Sequence, residues 1–98
     1  MVKRKIIWSL QSKLDLFATL DYFYKRNGTK TYSRKLNLSL RKAIKLLEKN
    51  SDIGVHTDIE NVRNMIHGNY NVFYEVKSEL IEIITIWDSR QNPDDLKL

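Results

Sequence analysis

Five side chains in this 98-residue sequence have the chemistry a phosphate would meet: Arg63, His67, Asn71, Tyr74 and Arg90. They fall in the second half of the chain, near strand ends and turns. Cleavage of RNA without a metal needs three things there. One group takes the 2′-hydroxyl proton, another protonates the leaving oxygen, and a cation stabilises the charge that develops on phosphorus. Arg90 suits the third role. The two proton roles have no convincing owner, His67 beside the hairpin turn being the one candidate near them. The same arginines would also serve a plainer purpose, pairing with Asp88 or Glu75 and trimming a sheet surface.

Other chemistries lack their residues. There are no cysteines, so neither a disulfide nor a thiolate metal site exists. The two histidines, His56 and His67, do not have zinc-site spacing, and the three glycines are isolated rather than grouped in a phosphate loop. No serine has the strand–turn–helix setting of a nucleophile elbow. No metal, cofactor or small-molecule substrate is expected.

The segment WDSRQNP, Trp87 to Pro93, follows the apolar run LIEIITI. It groups Trp87, Asp88, Arg90 and Gln91 where a plain strand end needs only a turn. Together with Arg63, Asn71 and Tyr74, these residues form a candidate target-facing rim.

Charge is divided sharply along the chain. Residues 1–50 hold 13 Lys or Arg against 3 Asp or Glu, while residues 51–98 hold 4 against 9. The first half therefore attracts a polyanion or an acidic protein segment, although for any single lysine a solvated surface is the simpler reading. The apolar stretch at the N-terminus is shorter than the core of a signal peptide. No run approaches the ~20 apolar residues of a membrane span. A cytoplasmic protein with no membrane contact is expected.

The elements that must position these groups follow from periodicity. Arg4–Ser9 is rich in β-branched and aromatic residues and reads as a strand. Ser12 and Asp15 resemble a capping box opening a helix that runs to about Lys25, with Leu16, Leu20 and Phe23 on its apolar line and Phe17 and Tyr24 beside it. Asn27-Gly28 ends it. A second helix, capped by Thr29 or Thr31, is predicted to about Lys49. Tyr32, Leu36, Leu40, Ala43 and Leu47 form its apolar line, and Arg34, Arg41, Lys42 and Lys45 lie on its other side.

Residues 51–61 show no period and read as a loop. From Val62 the period becomes two. Val62–His67, a Gly68-Asn69 turn and Tyr70–Val76 form a hairpin, with Tyr70, Val72, Tyr74 and Val76 on one face. The run 80–87 is apolar on both faces and belongs in the middle of a sheet. The expected architecture is α+β, in the order β-α-α-β-β-β: a helical hairpin packed on a mostly antiparallel four-stranded sheet. It forms one domain over residues 1–98, with a loose tail from about residue 91. So short a chain buries only about 60–65% of its unfolded surface, so any site should be shallow.

The segments IIWS, YSRKL, VRNMIHGNYNVFYEV, IEIITIWDSRQNP and DL, in this order, resemble the RelE/ParE superfamily of small bacterial toxins over nearly the whole chain. GNYNVFYEV followed by WDSRQNPDDL resembles the ParE-like, plasmid-stabilisation branch most. The resemblance implies the toxin half of a type II toxin–antitoxin module. It also implies a cognate antitoxin whose acidic and apolar C-terminal segment wraps the toxin, with Arg34, Arg41, Lys42 and Lys45 as its receptor. ParE-like members act on DNA gyrase. RelE-like members enter the ribosome and cut mRNA with lysines, arginines and commonly a C-terminal tyrosine. Here Asn71 stands where RelE-like toxins have an arginine, no tyrosine follows Tyr74, and only Arg90 matches. The expectation is a gyrase-directed toxin. The alternatives are a ribosome-dependent mRNA endoribonuclease built on Arg90 and His67, or an inactive member that only binds its antitoxin.

Overall fold

A computed structural model describes residues 3–96 and 98. In chain order the elements are β1 (Lys5–Trp8), α1 (Leu10–Asn27), α2 (Thr31–Lys45) with a 3-10 turn at Leu46–Glu48, β2 (Val55–His56), β3 (Val62–His67), β4 (Tyr70–Val76) and β5 (Leu80–Asp88), then a 3-10 turn at Pro93–Asp95. The strands form one sheet in the order β1-β5-β4-β3-β2. The β1–β5 pair is parallel and the others are antiparallel.

The expected architecture is present, with one strand more than four. The addition is β2, two residues from the segment read as a loop, which pair with Asn64 and Arg63 at the sheet edge. So short a strand has no readable period. Its place is held from outside by Arg63, whose Nη1 donates to the carbonyls of Gly54 (2.7 Å) and Asp52 (3.3 Å).

The start of α1 also differs from expectation. Ser9 is the N-cap, and its Oγ accepts the Ser12 N–H at 3.0 Å. The cap lies one turn earlier because Ser9 is also needed by the sheet: its N–H donates to the Ile83 carbonyl and its Oγ to the Ile84 carbonyl (2.7 Å). Asp15, freed from capping, accepts the Ile86 N–H (3.0 Å) and the Thr85 hydroxyl. Where β1 stops pairing at Ile83, side chains of α1 thus satisfy the next backbone groups of β5 that would otherwise be orphaned. Gly28, at φ 73°, ends the helix in the left-handed conformation and donates to the Tyr24 carbonyl.

The core lies between the helices and one sheet face. Leu16, Leu40, Ile44 and Leu47 meet Met65, Tyr70, Val72, Tyr74, Ile81, Ile83 and Ile86. Burying each large aliphatic side chain contributes about 1.5–3 kcal/mol. Ile44 joins the predicted line of α2. Tyr32, at that line's N-terminal end, is exposed and packs edge-on against Phe23. The Ser33 hydroxyl donates to the Leu20 carbonyl (2.7 Å) and ties the two helices together.

Alternation in β4 follows expectation and places Tyr70, Val72, Tyr74 and Val76 toward the helices. In β5 the period breaks at Ile84, because Phe73 pairs with Thr85 but Tyr74 with Ile83. This bulge returns Ile86 to the core side. In β3 the buried residues are Val62 and Met65, whereas Ile66 is exposed. Gly68 alone has positive φ in the hairpin turn, the glycine-first pattern. Beyond β5, the Asn92 side chain accepts the Asp94 N–H and caps the Pro93–Asp95 turn. Lys97 of the expected tail lies outside the described residues, as do Met1 and Val2.

Candidate functional site: two clefts flanking the first helix

The helical hairpin holds a groove of about 660 Å³. Leu16, Leu20, Phe17, Tyr24 and Trp8 give it an apolar lining, and Phe17 is 59% exposed there. Lys13, Lys30, Arg34 and Arg41 rim it, against Asp21 alone among acidic residues. Aromatic faces hold two of these cations in place. The Arg41 guanidinium lies 5.2 Å from the Trp8 ring centre and the Lys30 ammonium 5.2 Å from that of Tyr24. Arg41 Nε also donates to Asn37 Oδ1 (2.9 Å), which fixes the fork.

Of the four basic residues expected to receive a partner, Arg34 and Arg41 line this groove, whereas Lys42 and Lys45 do not. The reason is position on the helix. Arg34, Asn37 and Arg41 are three and four residues apart and share a face; Lys42 points about 100° away from Arg41, and Lys45, four residues after Arg41, shares its face but lies a further turn along the helix, beyond the lining. Lys13 and Lys30 were missed because they sit outside α2. The available signal was Phe17 and Tyr24, two aromatics seven residues apart just off the core line of α1.

A second cleft, of about 560 Å³, lies between α1 and the end of β5. Tyr22, Phe23 and Arg26 face Ile86, Asp88, Arg90 and Gln91 across it, with Asp15 and Thr19 beneath; Trp87 borders it from the strand, its register with Asn71 placing it on the other sheet face. Here the WDSRQNP segment finds its setting. Asp88 grips Arg90 in a fork: Nε donates to Oδ1 at 2.9 Å and Nη2 to Oδ2 at 2.7 Å, and the Arg90 N–H adds a third bond at 2.9 Å. The bond from Arg90 holds the Asp88 carboxyl below its usual range, and Asp88 in turn raises Arg90. Tyr70 pairs with Asp88 across the strands, and its buried hydroxyl has no hydrogen-bond partner. Burial pushes the Tyr70 phenol up; Asp88 adds to that and Arg90 opposes it.

The other predicted residues separate from this cleft. Asn71 pairs with Trp87 on the sheet face away from the helices, where its Oδ1 accepts from Asn64 Nδ2 (3.1 Å). Tyr74, contrary to the expectation from its sequence, cannot face a target: it is 0% exposed, and its hydroxyl is occupied at the opposite end of β4. That hydroxyl accepts the Gly54 N–H and donates to the Ser51 carbonyl, each at 2.8 Å. Alternation pointed Tyr74 inward, and its polar tip does not bring it back to the surface. Arg63 pairs with Tyr74 across the strands and is spent on the 52–56 segment, with Nη2 3.2 Å from His56 Nε2. His67 Nε2 is 2.7 Å from the Ser39 hydroxyl of α2. Arg90 and His67 are therefore each bound to a local partner. Among the described residues, no group of three or more His, Asp or Glu is placed to hold a metal ion.

The fold is a helical hairpin on a mostly antiparallel sheet, with two open clefts along one helix. Over residues 6–93 the sequence matches the family described as the ParE toxin of type II toxin–antitoxin systems. The chain belongs to that family, and is the toxin component of such a module. Two solved structures share its fold. One is a chromosomal ParDE toxin–antitoxin system from P. aeruginosa, with TM-score 0.76 and 20% identity, covering 86% of this chain and 94% of that one. The other is the E. coli DinJ–YafQ toxin–antitoxin complex, with TM-score 0.53 and 13% identity, covering 87% and 91%. No curated protein matches the sequence. Among the described residues, no helix is long and apolar enough to cross a membrane.

Proposed function

We propose that this toxin arrests growth in the bacterial cytoplasm by binding DNA gyrase, and that an antitoxin silences it by laying an acidic, apolar segment into the α1–α2 groove. The single observation that carries the antitoxin assignment is the groove's composition. Its apolar lining fits the hydrophobic side of a segment, and four cations against one carboxylate select an acidic one. Ordering such a segment on binding costs entropy, which the buried apolar contacts must offset. Solved relatives are toxin–antitoxin complexes, which supports a partner of this kind.

The gyrase assignment rests on family membership and on how the polar side chains are engaged. Arg90 is neutralised by Asp88, and His67 is bonded to Ser39. Asn71 holds Asn64 and carries no charge for a phosphate. This arrangement favours action by binding over cleavage of mRNA. Purified toxin is expected to block gyrase supercoiling of relaxed plasmid. Full supercoiling at saturating toxin would reject the gyrase target. In that case, cuts in translated mRNA that disappear with Arg90→Ala would establish the nuclease reading instead.

A further inference from the structure

The cations that rim the hairpin groove have no counter-ion within the chain. Among the described residues the ion pairs are Lys25–Asp21, Lys77–Glu82 and Arg90–Asp88. Asp21, the single carboxylate on the groove, is therefore spent on Lys25 at 2.9 Å. Lys13, Lys30, Arg34 and Arg41 stand around an apolar lining that supplies them no anion. Because the two helices run antiparallel, Arg41 meets Trp8, just ahead of α1, and Lys30 meets Tyr24 near its end. Leu16, Phe17 and Leu20 lie between, along about 16 Å of α1 from Lys13 to Tyr24.

Arg41 stands apart from the other three. Trp8 covers one face of its guanidinium, and Asn37 Oδ1 takes its Nε–H at 2.9 Å. Trp8 is itself packed against the core, so the face it offers is fixed. With Nε spent on Asn37, the Nη1 and Nη2 donors remain. They present an end-on fork that matches the two oxygens of a carboxylate. Among the described residues, no side-chain hydrogen bond or aromatic ring holds Lys13 or Arg34. Lys30 lies over Tyr24, but an ammonium is a compact point charge without a fork.

We infer that Arg41 is the specificity-determining residue of the groove: it grips one carboxylate of the antitoxin segment end-on, with Trp8 and Asn37 as its positioning residues, while Lys13, Lys30 and Arg34 supply long-range attraction. The inference rests on the antitoxin reading and deepens it. It also aligns the segment. The gripped carboxylate lies over the start of α1, and the apolar side chains that accompany it run from there along Phe17 and Leu20 toward Tyr24. A guanidinium already stacked and bonded loses little freedom on binding, whereas a loose cation must be ordered at that moment. Charge at position 41 is therefore not enough, and the shape of the fork decides which partner fits.

The test titrates the full chain with the antitoxin encoded beside it, by calorimetry at about 50 mM and about 300 mM salt. Arg41→Lys keeps the charge at an exposed position and loses only the fork. It should bind at least about tenfold more weakly, whereas Arg34→Lys should stay within about twofold of wild type. The Arg41→Lys deficit should persist at the higher salt, because long-range attraction is screened there and the fork is not. Trp8→Leu should reproduce the deficit, and Trp8→Phe, which restores an aromatic face, should recover most of it. Circular dichroism checks the fold of both Trp8 variants, and if Trp8→Leu does not fold the two lysine variants decide. On the antitoxin, Asp→Asn and Glu→Gln exchanges along the C-terminal segment should find one whose effect vanishes against Arg41→Lys. Arg41→Lys that binds as tightly as wild type, or Arg34→Lys that loses as much, would overturn the inference and leave the groove as the receptor. Unchanged binding by Arg34→Glu/Arg41→Glu would overturn both.

Discussion

Tyr70 and Tyr74 lie four residues apart on the same face of β4, both buried, yet their hydroxyls meet opposite fates. At the Tyr74 end every strong group is engaged. The hydroxyl bridges Ser51 and Gly54, and Arg63 holds the carbonyls of Asp52 and Gly54. At the Tyr70 end the hydroxyl has no partner, and the neighbouring Asp88–Arg90 and Ser39–His67 pairs stand at the surface. One end of the sheet is closed on itself with internal bonds; at the other a phenol is buried without such a bond, beneath polar pairs that face solvent.

The largest test of this contrast is Tyr74→Ala. Removing a fully buried aromatic side chain should cost about 3–5 kcal/mol, read as a lowered midpoint in urea unfolding. Tyr74→Phe keeps the ring but strands the Gly54 N–H and the Ser51 carbonyl, for about 1–3 kcal/mol. Gly54→Ala attacks the same clamp from the other side. Its new Cβ would lie 2.7 Å from the Tyr74 hydroxyl and 2.9 Å from the Asn64 backbone, so overpacking should cost about 1–3 kcal/mol. If Tyr74→Phe is neutral, the clamp is not what holds β2 and the 51–54 segment in place.

Much of this arrangement was legible in the sequence wherever a period repeats. The Leu36–Leu40 line of α2 with Leu47 in the 3-10 turn after it, the Gly68-Asn69 turn and the alternation of β4 all took the expected places. What periodicity could not convey were relations between distant segments. The parallel docking of β1 on β5, the Ile84 bulge and the use of Asp15 to complete the β5 edge depend on which strands become neighbours. The site was legible in the same uneven way. Trp87, Asp88, Arg90 and Gln91 lie within five consecutive positions and all border one cleft. Charge pointed to Arg34, Arg41, Lys42 and Lys45 alike; Arg34 and Arg41 line the groove, while phase turns Lys42 away and a further helical turn sets Lys45 beyond it. Tyr74 was misplaced because a phenol tip reads as a surface group until its buried partners are known.

The smallest expected effect is the most discriminating. Tyr70→Phe removes a hydroxyl that satisfies nothing, so stability at pH 7 should stay within about 0.5 kcal/mol of wild type. High pH then separates the two tyrosines from a different direction. Burial raises both phenols above their ordinary value of 10.0. As pH climbs past that value the unfolded chain loses these protons first, while the folded chain still holds them, so ionisation favours unfolding. Wild-type stability is therefore unaffected by these groups below about pH 9 and falls above pH 10. Each Phe substitution should remove part of that alkaline loss, but only Tyr74→Phe should also cost stability at neutral pH. Urea unfolding of the three proteins at pH 7 and pH 11 measures both. Should Tyr70→Phe lower stability at pH 7 as much as Tyr74→Phe does, the Tyr70 hydroxyl must have a partner such as a buried water. The two ends of β4 would then be equally closed.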